Sequence, residues 1–329
     1  CDPVRSYFIE NALYWVREFE IDALRLDAIQ MIFDISARPF LAELTEAVHQ
    51  EAEKLGRPIF LFGETNQNDV RQVRSIEAGG LGLDGVWNDD FHHSLQALLT
   101  GERISVYEDH GAIEDFAKAY REGFVLTGQH SKVLKRRHGS SSREVEANCF
   151  VVFSQNHDQV GNRLYGERLT ELASFEQLKL GAAALLLSPY VPLLFMGEEY
   201  AEKAPFLYFV DHEDSALNDR VYQGRLQDHP EWIREGDRPP IPAAKSTFRR
   251  SRLRLDKRRD GEHRLMWEFY RELLRLRRES PPLRHLDKRR QQVEFDEDEK
   301  WVVSRRRDDQ VETLVVLHFG KAPREMRIP

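Results

Sequence analysis

Five short apolar stretches alternate with amphipathic segments, and this alternation constrains the fold more than any other feature. The stretches are "IDALRLDAI", "RPIFLFGET", "LDGVWND", "NCFVVFSQN" and "YVPLLFMGEE". Between them lie segments with helical spacing of apolar residues, such as "ARPFLAELTEAVHQEAEKLG", which Gly56 closes, and "SFEQLKLGAAALLL". Strands that alternate with helices are typical of parallel β/α units. The sequence therefore predicts an α/β fold.

Two regions depart from this alternation. Residues 100–146 are polar and basic, and we interpret them as a long excursion over the rim of the sheet. After a helix at "LMWEFYRELLRLRRES", the stretches "QQVEFDED", "KWVVSRRR" and "TLVVLHFG" predict three antiparallel strands. We therefore expect a large β/α domain over residues 1–284 and a small β domain over residues 285–329.

The composition argues against several kinds of partner and location. The chain has 56 acidic and 48 basic residues, a net charge of −8, which disfavours nucleic acid or an anionic membrane as a partner. Its two cysteines, Cys1 and Cys149, provide no disulfide framework, so we expect a cytoplasmic location. The longest apolar run, "GAAALLLSPYVPLLFMG", is too short to span a membrane. Because the chain starts at Cys1 directly before a helical segment, we expect it to begin inside a longer protein.

The first apolar stretch carries an arginine and an aspartate on one face. Successive side chains alternate along a strand, so Arg25 and Asp27 share one face while Leu24 and Leu26 share the other. Helices packed on the sheet favour the leucine face. Arg25 and Asp27 then point inward, where the guanidinium stabilises the ionised carboxylate. A positioned, ionised carboxylate is a candidate nucleophile.

Acidic residues also follow two other apolar stretches. Glu64 comes directly after an apolar strand, and apolar surroundings would favour its protonated form. Two carboxyl groups in such contrasting environments are typical of a nucleophile and a general acid at a sugar acetal. The fourth stretch ends in Asn156, His157 and Asp158. Because the carboxyl ends of parallel strands share one rim, we expect Asp27, Glu64 and Asp158 to lie together.

Each of these residues has an alternative interpretation. An isolated Arg-x-Asp on a strand is most often a structural ion pair. A lone glutamate at a strand end is often a helix cap or is solvent-exposed, and a lone histidine such as His157 is usually a satisfied core residue. The prediction of a site therefore depends on acidic residues at three strand ends together.

A cluster of acidic and imidazole side chains follows the third stretch, at Asp89, Asp90, His92 and His93. We place the two histidines on a strand, where neighbours point to opposite faces, so a shared metal ion is not expected. A structural or substrate-contacting role is favoured instead. Trp87 is either a core residue or an apolar face for a sugar. The sequence has neither the glycine context of a serine hydrolase nor a glycine-rich phosphate loop.

Three motifs, "DALRLDA", "FLFGETN" and "FSQNHDQVGNR", resemble ordered motifs of the α-amylase superfamily of retaining glycosidases. The resemblance implies a (β/α)8 TIM barrel, of which this chain would hold about five strands from the C-terminal part. It implies Asp27 as the nucleophile, Glu64 as the general acid/base and Asp158 as a carboxylate that steadies the distorted sugar. Arg25 would orient Asp27, and His157 would hydrogen-bond to sugar hydroxyls.

Other stretches, including "VWNDDFHHSLQALLTGE" and "FMGEEYAEKAPFLYFVDH", resemble a trehalose-releasing branch of that superfamily. This resemblance implies hydrolysis of the α-1,4-glucosidic bond next to the trehalose end of an α-glucan oligosaccharide, without a metal or an organic cofactor. The further substrate-binding residues that we predict are Asn156, Asp89, Asp90 and His92.

Two other functions stay open at this point. One is a branching or other transglycosylating relative, in which a second glucan replaces water as the acceptor. The other is an inactive fragment that only binds α-glucan. About five of eight barrel strands would leave an open sheet with exposed edges, so we expect an upstream polypeptide to complete the barrel.

Overall fold

The central sheet consists of five parallel strands whose order in the sheet follows their order in the chain. The computed structural model describes residues 1–228, 238–323 and 325. The first strands are β1 (Ala23–Leu26), β2 (Phe60–Gly63), β3 (Gly85–Trp87), β4 (His130–Ser131), β5 (Arg136–Arg137), β6 (Phe150–Val152) and β7 (Val191–Pro192). The central sheet has the order β1, β2, β3, β6, β7, whereas β4 and β5 form a separate antiparallel pair. The prediction of five parallel strands is therefore confirmed.

Three further strands form the predicted antiparallel sheet near the C-terminus. They are β8 (Gln291–Asp296), β9 (Trp301–Arg307) and β10 (Glu312–His318). Strand β9 lies in the middle and pairs with both neighbours over most of its length.

Helices connect the strands and cover the central sheet. They are α1 (Asp2–Glu18), α2 (Phe40–Leu55), α3 (Asp89–Thr100), α4 (Ile113–Glu122), α5 (His157–Gly161), α6 (Leu169–Leu172), α7 (Phe175–Leu186), α8 (Ser215–Asp228), α9 (Lys245–Arg250), α10 (Gly261–Glu279) and α11 (Pro281–Arg284). Within the described ranges, none of these helices combines the length and the apolar character needed to cross a membrane.

Helix α2 and the first two strands show how the alternation of residues fixes the faces of the sheet. Their apolar side chains form one cluster that includes Leu24, Leu26, Leu41, Leu44, Val48 and Leu61. Since β1 turns its leucines toward this cluster, Arg25 lies on the opposite face, as we predicted. Helix α2 ends at Gly56, whose φ of 65° is in the left-handed region that favours glycine.

The polar segment 100–146 contributes more to the core than we expected from its composition. Its helix α4 places apolar side chains in a cluster that also contains residues of β6 and of the C-terminal sheet. That cluster includes Ile113, Phe116, Phe150, Val302 and Leu317. The two sheets therefore share an apolar core, while the domain limits 1–284 and 285–329 stay a prediction.

The central sheet is open on both sides within the part of the chain that the structure describes. Strands β1 and β7 each pair with one neighbour only. Near the β1 side, helix α1 exposes a group of aromatic side chains, which are Tyr7, Phe8, Tyr14, Trp15 and Phe19. Open strand edges and exposed apolar surface both favour association with further polypeptide.

We predict that Leu61→Ala lowers the free energy of unfolding by about 2 to 5 kcal/mol, because it removes a fully buried side chain from the α2 cluster. Urea unfolding followed by circular dichroism measures the change. The matched control is Leu265→Ala on α10, where the leucine is 51% exposed and the change should stay within about 0.5 kcal/mol. Equal effects of the two substitutions would contradict the position of Leu61 in the core.

Candidate active site

Charged side chains from neighbouring parallel strands meet at the edge where those strands end. Arg25 lies on β1, Asp27 follows that strand, and Glu64 follows β2. Asp158 lies on the short helix α5, which follows β6. The structure thus brings together three of the acidic residues that the sequence singled out, at the edge where active sites occur in parallel β/α folds.

The guanidinium group of Arg25 contacts all three carboxylates. Its Nη1 lies 2.5 Å from Oδ1 of Asp27, and its Nη2 lies 3.1 Å from Oε2 of Glu64. The same Nη2 is 3.9 Å from Oδ2 of Asp158. The group also packs over the Trp87 ring, with its Cζ 4.5 Å from the ring centroid. Asp27 and Glu64 therefore lie on the same face of the sheet, as we expected of a catalytic pair.

Glu64 is held by donors from the neighbouring strand as well as by the arginine. The backbone N–H of Ala28 donates a hydrogen bond to Oε2 of Glu64 at 2.6 Å. Ala28 has a φ of 43°, a left-handed conformation that is strained for a residue other than glycine. The apolar surroundings that we expected for Glu64 are thus only part of its environment, because a cation and a backbone donor contact the carboxylate directly.

The three carboxylates differ in their access to solvent. The Asp27 side chain is 78% exposed, Asp158 is 43% exposed, and Glu64 is 21% exposed. Asp27 is therefore open to a ligand that approaches from the rim, whereas Glu64 lies deeper between β1 and β2. The three carboxylates thus differ in how readily a ligand at the rim can contact them.

His157 and Asn156 have different roles at the end of β6. His157 is half-exposed, with its Nε2 3.4 Å from Oδ1 of Asp158 and its ring 5.9 Å from that of Trp87. Asn156 is buried, and its Oδ1 accepts a hydrogen bond from the backbone N–H of Gln159 at 2.8 Å. Asn156 therefore caps α5 at its N-terminus. This cap explains why the apolar strand ends in a cluster of polar residues.

Asp89 lies beside the carboxylate cluster and lines a cavity of about 210 Å³. Burial raises the pKa of the Asp89 carboxyl to about 7, and the negative charges of Asp90, Glu64 and Asp158 add to the effect. The Nε2 of Gln159 donates to Oδ1 of Asp89 at 3.4 Å. The predicted contact of Asp89 with substrate stays a prediction that this position supports.

Three predicted substrate-binding residues are not placed at the open site. Asp90, His92 and Asn156 are each at most 5% exposed, and each makes hydrogen bonds with protein groups. The Nδ1–H of His92 donates a hydrogen bond to the carbonyl oxygen of Ser154 at 2.8 Å, and its Nε2 lies 3.2 Å from the hydroxyl of Tyr107, with which it shares a hydrogen bond. Burial lowers the pKa of His92 to about 4. A structural role is the better interpretation of all three.

The prediction that His92 and His93 lie on a strand is wrong. They lie on α3, because Asn88 caps that helix by accepting a hydrogen bond from the backbone N–H of Phe91 at 3.2 Å. The helix therefore begins at the first of the two aspartates. On a helix, adjacent residues differ by about 100° in direction rather than pointing to opposite faces.

The sequence interpretation missed residues that form the wall of the cavity. Tyr107 comes from the polar segment 100–146, and Arg163 ends the "NHDQVGNR" motif without having been singled out. The Nη2 of Arg163 lies 2.8 Å from Oε1 of Glu102, which joins α3's end to the segment after α5. For Arg163, its position as a basic residue at the end of a polar motif is the sequence feature that could have indicated a role at the site.

Solved structures with the same arrangement of elements belong to α-amylase-type enzymes. A protein from Salmonella typhimurium assigned as an alpha amylase superimposes with a TM-score of 0.89 and 35% identity, over 100% of this chain and 56% of that chain. A pullulanase from Paenibacillus barengoltzii superimposes with a TM-score of 0.60 at 18% identity, over 99% of this chain and 45% of that one, and shows the fold alone. Together with the site, these likenesses define an α-amylase-type glycoside hydrolase fold, and they confirm the predicted fold class.

Proteins with similar sequences identify the branch of the superfamily. Malto-oligosyltrehalose trehalohydrolase from Mycobacterium tuberculosis is 37% identical over 98% of this chain and 55% of its own length. The enzyme of that name from Saccharolobus solfataricus is 39% identical over 84% of this chain and 46% of its own length. No protein-family model matches the chain. The chain belongs to the malto-oligosyltrehalose trehalohydrolase branch of the α-amylase superfamily, and it spans about half the length of the curated relatives it matches.

We predict that Asp89→Asn removes part of the pH dependence of folding stability. An unfolded aspartate loses its proton near pH 3.8, whereas folded Asp89 keeps it to about pH 7, so this residue lowers stability as the pH rises between those values. The variant should therefore gain about 1 to 3 kcal/mol relative to wild type between about pH 4.5 and about pH 8. Urea unfolding at both pH values measures the difference.

The control for this prediction is Asp298→Asn, which changes an exposed aspartate in the loop between β8 and β9. Its stability relative to wild type should vary little with pH. If Asp89→Asn kept the pH dependence of the wild type, the pKa of Asp89 would not be raised in the folded protein.

Proposed function

We propose that this chain supplies the catalytic carboxylates of a retaining glycoside hydrolase that acts on maltooligosyltrehalose. The proposed reaction cleaves the α-1,4-glucosidic bond next to the trehalose end and yields trehalose and a shorter maltodextrin. The observation that carries the proposal is the contact of one guanidinium group with Asp27, Glu64 and Asp158 at the ends of parallel strands. The names of the sequence relatives support the choice of substrate.

In the first step, Glu64 protonates the glycosidic oxygen while Asp27 attacks the anomeric carbon of the maltodextrin. The bond between that carbon and the oxygen of the trehalose unit breaks, and trehalose leaves with the proton. In the second step, Glu64 takes a proton from water, and the water oxygen displaces Asp27 from the anomeric carbon. The open position of Asp27 and the deeper position of Glu64 support these assignments.

The remaining residues of the cluster position the groups that react. Arg25 holds Asp27 and Glu64 at fixed places through its two terminal nitrogens. Asp158 lies 3.9 Å from Nη2 of the same guanidinium and would hydrogen-bond the distorted sugar ring. His157, half-exposed beside Trp87, presents an imidazole to sugar hydroxyls.

The proposal includes further polypeptide that completes the barrel. Strand β1 has one paired edge, and the aromatic side chains of α1 are exposed near it. The curated relatives are almost twice as long as the part that this chain matches. An upstream segment that adds strands beside β1 would cover both features and close the sheet.

The proposal also includes a metabolic pathway and a cellular location. Release of trehalose from a glucan end would place the reaction in trehalose biosynthesis. A cytoplasmic location would suit the two cysteines, Cys1 and Cys149, both of which are free thiols.

A transglycosylating relative is the second candidate function. A 1,4-alpha-glucan branching enzyme from Frankia casuarinae is 28% identical over 67% of this chain. The same two carboxylates would serve that reaction, with a glucan hydroxyl in place of water in the second step. The products discriminate, because a branching enzyme forms new bonds and releases no trehalose. A chain that only binds glucan would give neither product.

We predict that the protein releases trehalose from a trehalose-capped maltooligosaccharide and that Glu64→Gln reduces this rate by about 10³-fold or more, because the amide cannot transfer a proton. Chromatography of the products measures both. The assay should use the chain alone and the chain within its complete reading frame, with the uncapped oligomer in parallel. The matched control is Glu176→Gln on the exposed face of α7, which should keep the wild-type rate. Two results would refute the assignment. One is formation of branched glucan by the wild-type protein, and the other is the absence of any product when the chain is assayed within its complete reading frame.

The two-carboxylate arrangement also predicts the stereochemistry of the product. Attack by Asp27 and then by water inverts the anomeric carbon twice, so the new reducing end should first appear in the α configuration. Proton NMR of the anomeric region during the first minutes of reaction distinguishes the two anomers before they interconvert. Initial formation of the β anomer would mean that water attacks directly and that Asp27 is not the nucleophile.

A further inference from the structure

Three potential metal ligands lie together behind the carboxylate cluster, and none of them is assigned to the proposed glycosidase reaction. Asp90 and His93 are on α3, and His110 lies shortly before the start of α4 at Ile113. One ligand atom from each lies within 4.8 Å of the other two. We propose that Asp90, His93 and His110 bind a zinc ion.

Helix α3 supplies two of the ligands from one face. Asp90 and His93 are three residues apart, so they are neighbours on the helix surface. The third ligand arrives on a separate segment, and the Nε2 of His110 lies 3.7 Å from Oδ1 of Asp90. The centroids of the two imidazole rings are 5.2 Å apart, and the ring planes are tilted by 47°. The site therefore joins α3 to a segment that follows it in the chain.

The two carboxylate oxygens of Asp90 differ in their hydrogen bonds with described residues. Its Oδ2 accepts hydrogen bonds from the side-chain amide of Asn68 and from the backbone N–H groups of Val125 and Leu126, at 2.6 to 2.8 Å. The one contact of its Oδ1 with a described residue is with Nε2 of His110, at 3.7 Å. The donors on Oδ2 fix the orientation of the carboxylate, as outer partners of metal ligands do, and Oδ1 is left for an ion.

The two imidazoles make few hydrogen bonds with the described residues. His110 is 4% exposed, and its Nδ1 is buried without a hydrogen-bond partner among the described residues. Neither ring nitrogen of His93 makes a hydrogen bond with a described residue. His92, next to it on α3, uses both of its nitrogens on protein groups. A metal ion would give one nitrogen of each of the other two rings a partner.

The donor set suits zinc. Two imidazole nitrogens and one carboxylate oxygen are typical ligands of Zn²⁺, with bond lengths of about 2.0 to 2.2 Å. Tetrahedral coordination at those lengths separates the ligand atoms by about 3.4 Å, so the side chains must move closer together than their present spacing when the ion binds. His93 also lines the 210 Å³ cavity, which gives the ion a path of entry.

The ion would hold the wall of that cavity in place. The segment that ends at His110 carries Val106 and Tyr107, both of which line the cavity beside Asp89. A bond from His110 through zinc to α3 would fix this segment relative to the helix. The inference does not depend on the proposed glycosidase reaction, because it concerns a site behind the carboxylate cluster.

The test is direct zinc binding by the chain, purified without a polyhistidine tag and stripped with a chelator. We expect one Zn²⁺ per chain by equilibrium dialysis and elemental analysis, and a visible absorption spectrum of tetrahedral Co²⁺ when cobalt replaces zinc. His93→Gln and His110→Gln should each weaken zinc binding by at least about 100-fold. The matched control is His130→Gln, an exposed histidine on β4, which should bind zinc like the wild type.

Two results would overturn the proposal. One is folded wild-type protein that retains no stoichiometric zinc. The other is unchanged zinc affinity in His93→Gln. Circular dichroism establishes whether each variant is folded. If His110→Gln does not fold, the zinc affinity of His93→Gln alone tests the proposal, because the His93 side chain borders the cavity. Octahedral Co²⁺ spectra in the wild type would also count against a site with these three ligands.

Discussion

The contact of Arg25 with three carboxylates is the interaction on which the site depends. Its terminal nitrogens reach Asp27, Glu64 and Asp158, which come from three different β/α units. Without the cation, these negative charges would repel one another and move apart toward solvent. The stacking of the guanidinium on Trp87 fixes the direction in which its nitrogens point. One side chain thus converts the common edge of the sheet into an ordered cluster.

The register of β1 against β2 gives this contact its geometry. Leu26 pairs with Gly63, so Asp27 and Glu64 are the next residues on their strands. The ladder continues past the strands, since the backbone N–H of Glu64 donates to the carbonyl oxygen of Leu26 at 2.8 Å. A shift by one residue would turn Arg25 toward the leucine cluster and the leucines toward the site. The burial of Leu24 and Leu26 under α2 therefore also determines where the carboxylates lie.

The sequence was sufficient for features that depend on local pattern and insufficient for those that depend on distant partners. Alternating apolar residues placed β1 and β2 correctly, and their strand ends indicated Asp27 and Glu64. The role of Asp90 depends on donors from residues 68, 125 and 126, which no local pattern reveals. His92 was misplaced for a local reason, because Asn88 followed by two acidic residues is a helix-start signal that we read as part of a strand.

The site holds more carboxylates than the Arg25 guanidinium can neutralise. This excess of negative charge destabilises a further anion, and it would stabilise a cationic transition state. The charges of Asp90, Glu64 and Asp158 act with burial to raise the pKa of Asp89 to about 7, which shows that a further negative charge is disfavoured there. A sugar that passes through an oxocarbenium-like transition state brings positive charge to the same place. Carboxylates already fixed around that position stabilise the charge without reorganising. In the proposed reaction, the positive charge of the transition state would therefore relieve the electrostatic strain of the free site.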